Sequence, residues 1–168
     1  MEENKSFRKE QLPDFIGRLK NMVDRNYEIM VKPIENDIAV DKYYNIVKGR
    51  KAATEQSIKG LKKIDSCYKE LDNLTENEFS SYYRKNIKIL IQNLKDTYFL
   101  NLAIIDIKLD PNEITEDKMY NVVKSREMAY EDCDWIMTKI QELETELHTK
   151  AEHQTTQSWA KIAAERNK

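Results

Sequence analysis

Hydrophobic positions recur at helical spacing over most of this chain. Apolar residues return every three or four positions after Pro13, across residues 42–72, from Glu76 onward and again after Thr115. An α-helix has about 3.6 residues per turn, so this spacing collects the apolar side chains on one helical face. The pattern predicts an all-α protein: an elongated antiparallel bundle of three long helices, with a shorter N-terminal helix and a C-terminal tail.

Proline and capping residues set the first predicted boundaries. The first helix covers about 18 residues after Pro13-Asp14. It ends before Pro33, because proline disfavours helical backbone at the residue that precedes it. Asp41 is the expected N-cap of a second helix over residues 42–72. The first helix is therefore predicted to be much shorter than the second.

Two independent signals mark the start of the third helix. Residues 75–78, with the sequence Thr-Glu-Asn-Glu, match a capping box, and Leu74 and Phe79 stand at the positions of a hydrophobic staple. The third helix is predicted to run from there to about Leu109, where Asp110-Pro111 breaks it.

Thr115 or Asp110 can cap a fourth helix that continues to about Lys150. Its apolar positions alternate three and four apart, which is the heptad pattern of helices that pack lengthwise. This seam consists of Met119, Val122, Arg126, Ala129, Cys133, Ile136, Ile140, Leu143 and Leu147. The chain thus divides into a helical bundle domain over residues 1–150 and a polar tail over residues 151–168.

Two features are predicted to contact other proteins. The third helix carries a second apolar stripe roughly opposite its first, and a short first helix cannot cover all of it. In the tail, Ser158 can cap a short docking helix that bears a tryptophan. The interface candidates from these two features are Ile89, Leu100, Ile104, Ile107, Trp159 and Ile162.

The net charge of −2 hides an uneven distribution. Residues 42–63 hold seven lysine or arginine residues and a single acid, Glu55, whereas residues 110–150 hold 11 acids and 5 bases. The basic helix can be a nucleic-acid contact or a solvated amphipathic helix. It can also attract the acidic fourth helix, within one bundle or between subunits. The candidates for a nucleic-acid contact are Lys48, Lys59, Lys62 and Lys63.

Small residues cluster on the second helix. Gly49, Ala53, Ser57 and Gly60 lie on one side of it, beside the apolar face. Because a glycine inside a helix costs about 1 kcal/mol relative to alanine, this cluster indicates that another helix approaches closely.

Three charged residues fall at positions expected to be buried. Arg50 and Asp65 lie within the apolar face of the second helix, and Arg126 interrupts the seam of the fourth. Because an unpaired buried charge is strongly unfavourable, we expect carboxylate partners or a wet interface. A pair between Asp65 and Arg126 is preferred, on the hypothesis that helices two and four are neighbours. The alternative is that Arg126 reaches solvent at the edge of the seam.

Catalytic and metal-binding motifs are scarce. Three glycines cannot readily supply a phosphate-binding loop, and Cys67 and Cys133 have the surroundings of buried free thiols. His148 and His153 lack the glutamate three residues earlier that a helical di-metal site needs. These observations predict a protein without a catalytic site, a bound metal or a cofactor.

One pattern of acidic residues resembles a magnesium-binding motif. Glu113-x-x-Glu116 and Glu131-x-x-Asp134 resemble in spacing the paired acids of the all-α nucleotide pyrophosphohydrolases, which bind magnesium. The resemblance implies a magnesium-dependent nucleotide hydrolase. In that family the two pairs lie on facing helices, whereas three of the four acids in this chain would share one helix.

The favoured hypothesis is a non-catalytic scaffold or assembly protein that binds other protein subunits, copies of itself or different chains, through helical surfaces. Abundant Lys, Ile, Asn and Tyr are typical of AT-rich genomes, so a phage virion or assembly component is one version. A nucleic-acid regulator or adaptor and the magnesium-dependent hydrolase are the alternatives. The N-terminal residues show no apolar signal segment, and we expect a location in the cytoplasm or in a virion assembled there. Neither a membrane nor a small-molecule substrate is indicated as a partner.

Overall fold

A computed structural model of the protein describes the backbone at residues 2–71, 76–112 and 114–166, and the side chains at residues 7–71, 81–112 and 114–149. Four α-helices account for nearly all of this part of the chain. They are α1 (Glu2–Val31), α2 (Val40–Leu71), α3 (Glu76–Ile105) and α4 (Glu116–Arg166). The predicted all-α bundle is confirmed.

The helices pack in sequence order. α1 lies against α2, α2 against both α3 and α4, and α3 against α4. Short connectors make successive helices antiparallel, so α2 and α4 run in the same direction. One side chain from each helix illustrates the common core: Val23, Leu61, Leu94 and Ile136 are all 0% exposed. Burial of a side chain of this size stabilises the fold by about 1.5–3 kcal/mol.

α1 is longer than its sequence indicated. It spans 30 residues, Glu2–Val31, so the prediction that a short first helix starts after Pro13 is wrong. Pro13 lies on the exposed side of α1, where the carbonyl of Lys9 that loses its hydrogen bond can bind water. Leu12 and Ile16, on either side of the proline, are each 4% exposed. Their burial offsets the cost of the interrupted hydrogen-bond ladder.

The start of α2 differs by two residues from prediction. α2 begins at Val40, and the N–H of Tyr43 donates to the carbonyl of Ala39 at 2.9 Å. Asp41 therefore lies in the first turn of α2 and is not its N-cap. The predicted capping box and staple, residues 74–79, lie outside the residues whose side chains are described, although α3 does begin where predicted.

The connector between α3 and α4 is longer than predicted. α3 ends at Ile105, one turn before Leu109. Asp110 accepts a backbone hydrogen bond at 2.9 Å inside the connecting turn, so it does not cap a helix. Thr115 caps α4 instead, because its hydroxyl accepts a hydrogen bond from the N–H of Lys118 at 3.4 Å.

α4 is a single helix of 51 residues, Glu116–Arg166. At about 1.5 Å per residue it is about 76 Å long. The predicted end near Lys150 is wrong, and Ser158 lies inside α4, so it does not begin a separate helix. The backbone thus crosses the expected boundary between bundle and tail without interruption.

The heptad seam of α4 faces the bundle. Ala129, Ile136 and Leu143 are at most 1% exposed. Met119 is the exception among the seam residues, since 46% of it is exposed. The predicted lengthwise packing of α4 against its neighbours is therefore confirmed beyond its first turn.

Close approach of two helices is confirmed at Gly60 and not at Gly49. A Cβ atom at Gly60 would lie 2.7 Å from the Cε atom of Met22 on α1. One turn away, the side-chain amide of Asn26 donates to the hydroxyl of Ser57 at 3.1 Å. Nothing lies within 4 Å of the corresponding position at Gly49. α1 therefore occupies the space that the small residues leave, over the middle of α2.

Candidate protein-interaction surface

Most of the second stripe of α3 is covered by the chain itself. Ile104 is 0% exposed and packs with Tyr44 and Val47 of α2. Leu100 and Ile107 are partly buried against the same cluster. The prediction that these three positions of α3 await a partner is therefore wrong, because α2 and the connector after α1 reach them. They stand in the core of this end of the bundle.

The other predicted interface residues have different outcomes. Ile89 stays 36% exposed on α3. Trp159 and Ile162 lie within α4 but outside the residues whose side chains are described. Their role in binding remains a prediction.

A different apolar surface is open to solvent. Phe99 of α3 is 65% exposed, and on α4 Val123, Tyr130 and Met137 are 55%, 64% and 50% exposed. Met119, the exposed first residue of the seam, continues this row toward the start of α4. We call these five residues the α3–α4 surface.

Contacts between the two helices place Phe99 level with the α4 residues. The thiol of Cys133 lies 3.9 Å from the carbonyl oxygen of Tyr98, so the turn of α3 that carries Phe99 lies level with the middle of α4. Phe99 also meets the ring of Tyr98 edge to face, with centroids 5.6 Å apart. Phe99 is therefore an exposed aromatic residue on the neighbouring helix at the level of the row on α4.

The α4 part of this surface is a regular stripe. Val123, Tyr130 and Met137 are seven residues apart, which keeps them on one side of the helix. From Met119 to Met137 the stripe is about 27 Å long. This seven-residue spacing is present in the sequence. The sequence prediction, however, identified only the heptad seam of α4, which predicts one apolar face, and that face is buried.

Acidic side chains border the stripe on α4. Glu116, Glu127, Glu131 and Asp134 are all exposed. Glu127 forms an exposed ion pair with Lys124 at 2.6 Å, which leaves the region with a surplus of negative charge. A basic partner is therefore favoured electrostatically over an acidic one.

The predicted basic residues of α2 are exposed on its outer side. Lys48, Lys62 and Lys63 extend into solvent, and Lys59 pairs with Glu55 at 2.8 Å. The hydrogen bond from Lys59 lowers the pKa of the Glu55 carboxyl. This arrangement fits a solvated helix face and leaves a nucleic-acid contact as a hypothesis.

The expected pair between Asp65 and Arg126 is wrong. Asp65 pairs with Lys69 of its own helix at 2.9 Å. α2 and α4 run parallel, and Lys51 of α2 pairs with Asp132 of α4. From that register, Arg126 lies about 30 Å along the bundle from Asp65.

Among the residues whose side chains are described, Arg50 and Arg126 also lack the expected carboxylate partners. Arg50 donates from its guanidinium to the backbone carbonyl of Lys32 and lines an open cleft of about 450 Å³ at the connector between α1 and α2. The Nε atoms of both arginines make no hydrogen bond among the described residues. Arg126 is half-buried, which fits the alternative position at the edge of the seam.

A buried ion pair joins the basic and acidic helices. Asp132 accepts hydrogen bonds from the ammonium of Lys51 and, at 3.3 Å, from the hydroxyl of Tyr44. The Lys51 ammonium also lies 4.7 Å from the centroid of the Trp135 ring. Burial, followed by the charge of Asp132, raises the pKa of Tyr44 from its ordinary 10.0 to about 12. These partners satisfy Asp132 within the fold, and the site faces the interior of the bundle.

Three of the four acids that resemble a hydrolase motif do not meet, and the fourth, Glu113, lies outside the described residues. Glu116, Glu131 and Asp134 are exposed along one helix, and Glu116 lies about 22 Å along α4 from Glu131. Nowhere in the described part of the chain do three or more His, Cys, Asp or Glu side chains gather as potential metal ligands. Cys67 and Cys133 are buried free thiols, as predicted, and His148 is exposed.

Among the described residues, no helix combines the length and the apolar character needed to cross a membrane. Comparison with known proteins finds no matching family model, no similar curated sequence and no similar solved structure.

Proposed function

We propose that this protein is a non-catalytic scaffold or assembly protein that binds other protein subunits through the α3–α4 surface. The observation that carries the proposal is the row of large apolar side chains on α3 and α4, each 46–65% exposed. Exposed apolar residues scattered singly are common on proteins, whereas a continuous row along adjoining helices is typical of interaction sites.

The composition of the surface supports a protein partner. Tyr130 and Phe99 offer rigid aromatic area, and Met119 and Met137 are flexible side chains that adapt to a partner's shape. A helix lying along the stripe would bury its apolar residues at heptad spacing. We place this assembly in the cytoplasm or in a virion assembled there, and the phage version of the role rests on amino-acid usage.

Site-specific photo-crosslinking tests the proposal. Tyr130→benzoylphenylalanine, expressed in the native host, should form discrete crosslinked products that contain a second polypeptide. The matched control is Tyr120→benzoylphenylalanine, because Tyr120 is similarly exposed, 68% against 64%, but lies outside the stripe. Absence of protein crosslinks at Tyr130, or equal crosslinking at both positions, would contradict the proposed role.

A nucleic-acid contact through α2 is the second candidate, favoured by the exposure of Lys48, Lys59, Lys62 and Lys63. Binding of duplex DNA or single-stranded RNA should then weaken steeply with salt. Replacing Lys59, Lys62 and Lys63 with Glu should abolish it. If the unmodified protein binds neither probe at about 50 mM salt, a low ionic strength for such contacts, this candidate is rejected.

A further inference from the structure

We propose that the α3–α4 surface is covered by the C-terminal part of α4 from a second copy of this chain, in an antiparallel two-fold dimer. The inference rests on the proposed function and names its partner. Each copy would give its α4 extension, residues 150–166, to the other and receive the same segment in return.

The extension passes beyond the start of α3. The hydroxyl of Tyr83 on α3 donates to Glu146 of α4 at 2.6 Å, which fixes their relative level. α3 begins at Glu76, about 10 Å before Tyr83, so α4 passes the start of α3 near residue 153. It then continues for about 20 Å to Arg166.

The extension cannot cover the surface of its own chain. α4 is one unbroken helix from Glu116 to Arg166, with no turn that would let its last residues fold back. The α3–α4 surface lies along the first half of the same helix. An occupant from this chain must therefore belong to another copy.

The sequence of the extension suits the surface. It carries Trp159 and Ile162, two large apolar residues in a segment that otherwise holds only polar residues and alanine. Residues 150–166 contain three basic and two acidic residues, whereas residues 116–149 contain nine acidic and four basic ones. The two halves of α4 therefore have opposite net charge and attract each other between copies.

A single antiparallel register brings the apolar residues of the extension to the apolar surface and also brings the opposite charges together. With Trp159 level with Tyr130 of the other copy, Ile162 falls between Tyr130 and Val123. In the same register Lys161 lies within about one turn of the bordering Glu127. A two-fold axis near the middle of α4 repeats these contacts, so the part of the surface from Val123 to Met137 is covered in both copies at once.

Molar mass and crosslinking test the dimer. The full chain should sediment at about twice its monomer mass of 20.0 kDa. Tyr130→Glu and Trp159→Glu should each weaken dimerisation by at least about 30-fold, the loss typical of a central interface residue. Tyr120→Glu, at an exposed position outside the stripe, should leave the dimer unchanged. Far-UV circular dichroism of each variant shows whether the helices remain folded.

Cysteine pairs test the orientation of the two chains. In the antiparallel register Asp134 of one copy lies level with Thr155 of the other. A mixture of Asp134→Cys and Thr155→Cys chains should form a disulfide-linked dimer under mild oxidation, and neither variant should do so alone. The native thiols, Cys67 and Cys133, are buried.

Three results would overturn the inference. They are a monomer at all concentrations, a dimer that Tyr130→Glu or Trp159→Glu leaves intact, and self-crosslinking of Asp134→Cys alone, which indicates parallel chains. A monomer whose Tyr130 photo-crosslinks to a different protein would overturn the dimer and leave the proposed function standing. A monomer whose Tyr130 forms no photo-crosslinks to any protein would contradict the proposed function as well.

Discussion

Asp132 places a negative charge in the interior of the bundle, where Lys51 and Tyr44 bind its carboxylate. Its side chain is 9% exposed and that of Lys51 is 22% exposed. A carboxylate this deeply buried depends on its partners, because few water molecules can replace them. Charge counts predicted a general attraction between basic α2 and acidic α4. They did not predict that Lys51 and Asp132 would form the ion pair.

Lys51→Met should lower the free energy of unfolding by about 3 kcal/mol, since it leaves Asp132 buried without its counter-charge. The matched control is Lys59→Met, which breaks an exposed pair with Glu55 and should cost less than about 1 kcal/mol. Urea unfolding followed by circular dichroism measures both losses. Equal losses for the two variants would contradict the role assigned to Lys51.

Buried tyrosines make stability depend on alkaline pH. Burial raises the pKa of Tyr44 from 10.0 to about 12, and it raises the pKa values of Tyr27 and Tyr83 as well. A pKa raised in the folded state favours folding fully below the unfolded value, and this contribution is lost as pH rises through the folded value. The free energy of unfolding should therefore fall as pH rises from about 10 toward 12.

The tyrosine contribution can be separated from other alkaline effects by substitution. Tyr44→Phe should reduce the slope of stability against pH in this range, measured as urea midpoints. Tyr120→Phe removes an exposed hydroxyl and should keep the original slope. Identical slopes for both variants would show that Tyr44 does not carry the effect.

At the scale of single helices, the spacing of apolar residues predicted the structure better than did the residues expected to start or end each helix. Of the two predicted caps of α4, Thr115 and Asp110, Thr115 is confirmed, because its side chain acts on the backbone of its own turn. Pro13 predicts a helix start in the sequence, but this prediction is wrong because the burial of Leu12, which keeps the helix intact, depends on distant residues. The 51-residue length of α4 was missed because its last third has a polar composition.

Pro13→Ala should raise the free energy of unfolding by about 1–2 kcal/mol, because alanine restores the backbone hydrogen bond inside α1. Pro33→Ala is the matched control. Pro33 lies in the connector outside any helix, so its replacement should give no comparable gain. Thermal unfolding of the two variants makes the comparison, and an unchanged or lower stability for Pro13→Ala would argue that α1 starts after Pro13.

At the scale of the whole molecule, the bundle was predictable and the open surface was not. Periodicity identifies which residues share a helix face, as it did for Ala129 and Ile136. It does not say which of two apolar faces the neighbouring helices will cover. Part of the second stripe of α3 is predicted to stay open for a partner, yet Ile104 is buried, and an open face lies on α4 around Tyr130. That outcome depends on how all four helices are arranged around the core.

The central claim is that a protein covers the α3–α4 surface in the native assembly. Hydroxyl-radical footprinting of the protein isolated with its partners measures this directly, because Tyr120 and Tyr130 are 68% and 64% exposed in the single chain. Tyr130 should be modified several-fold less than Tyr120. Equal modification of the two tyrosines would show that the surface stays open and would contradict the claim.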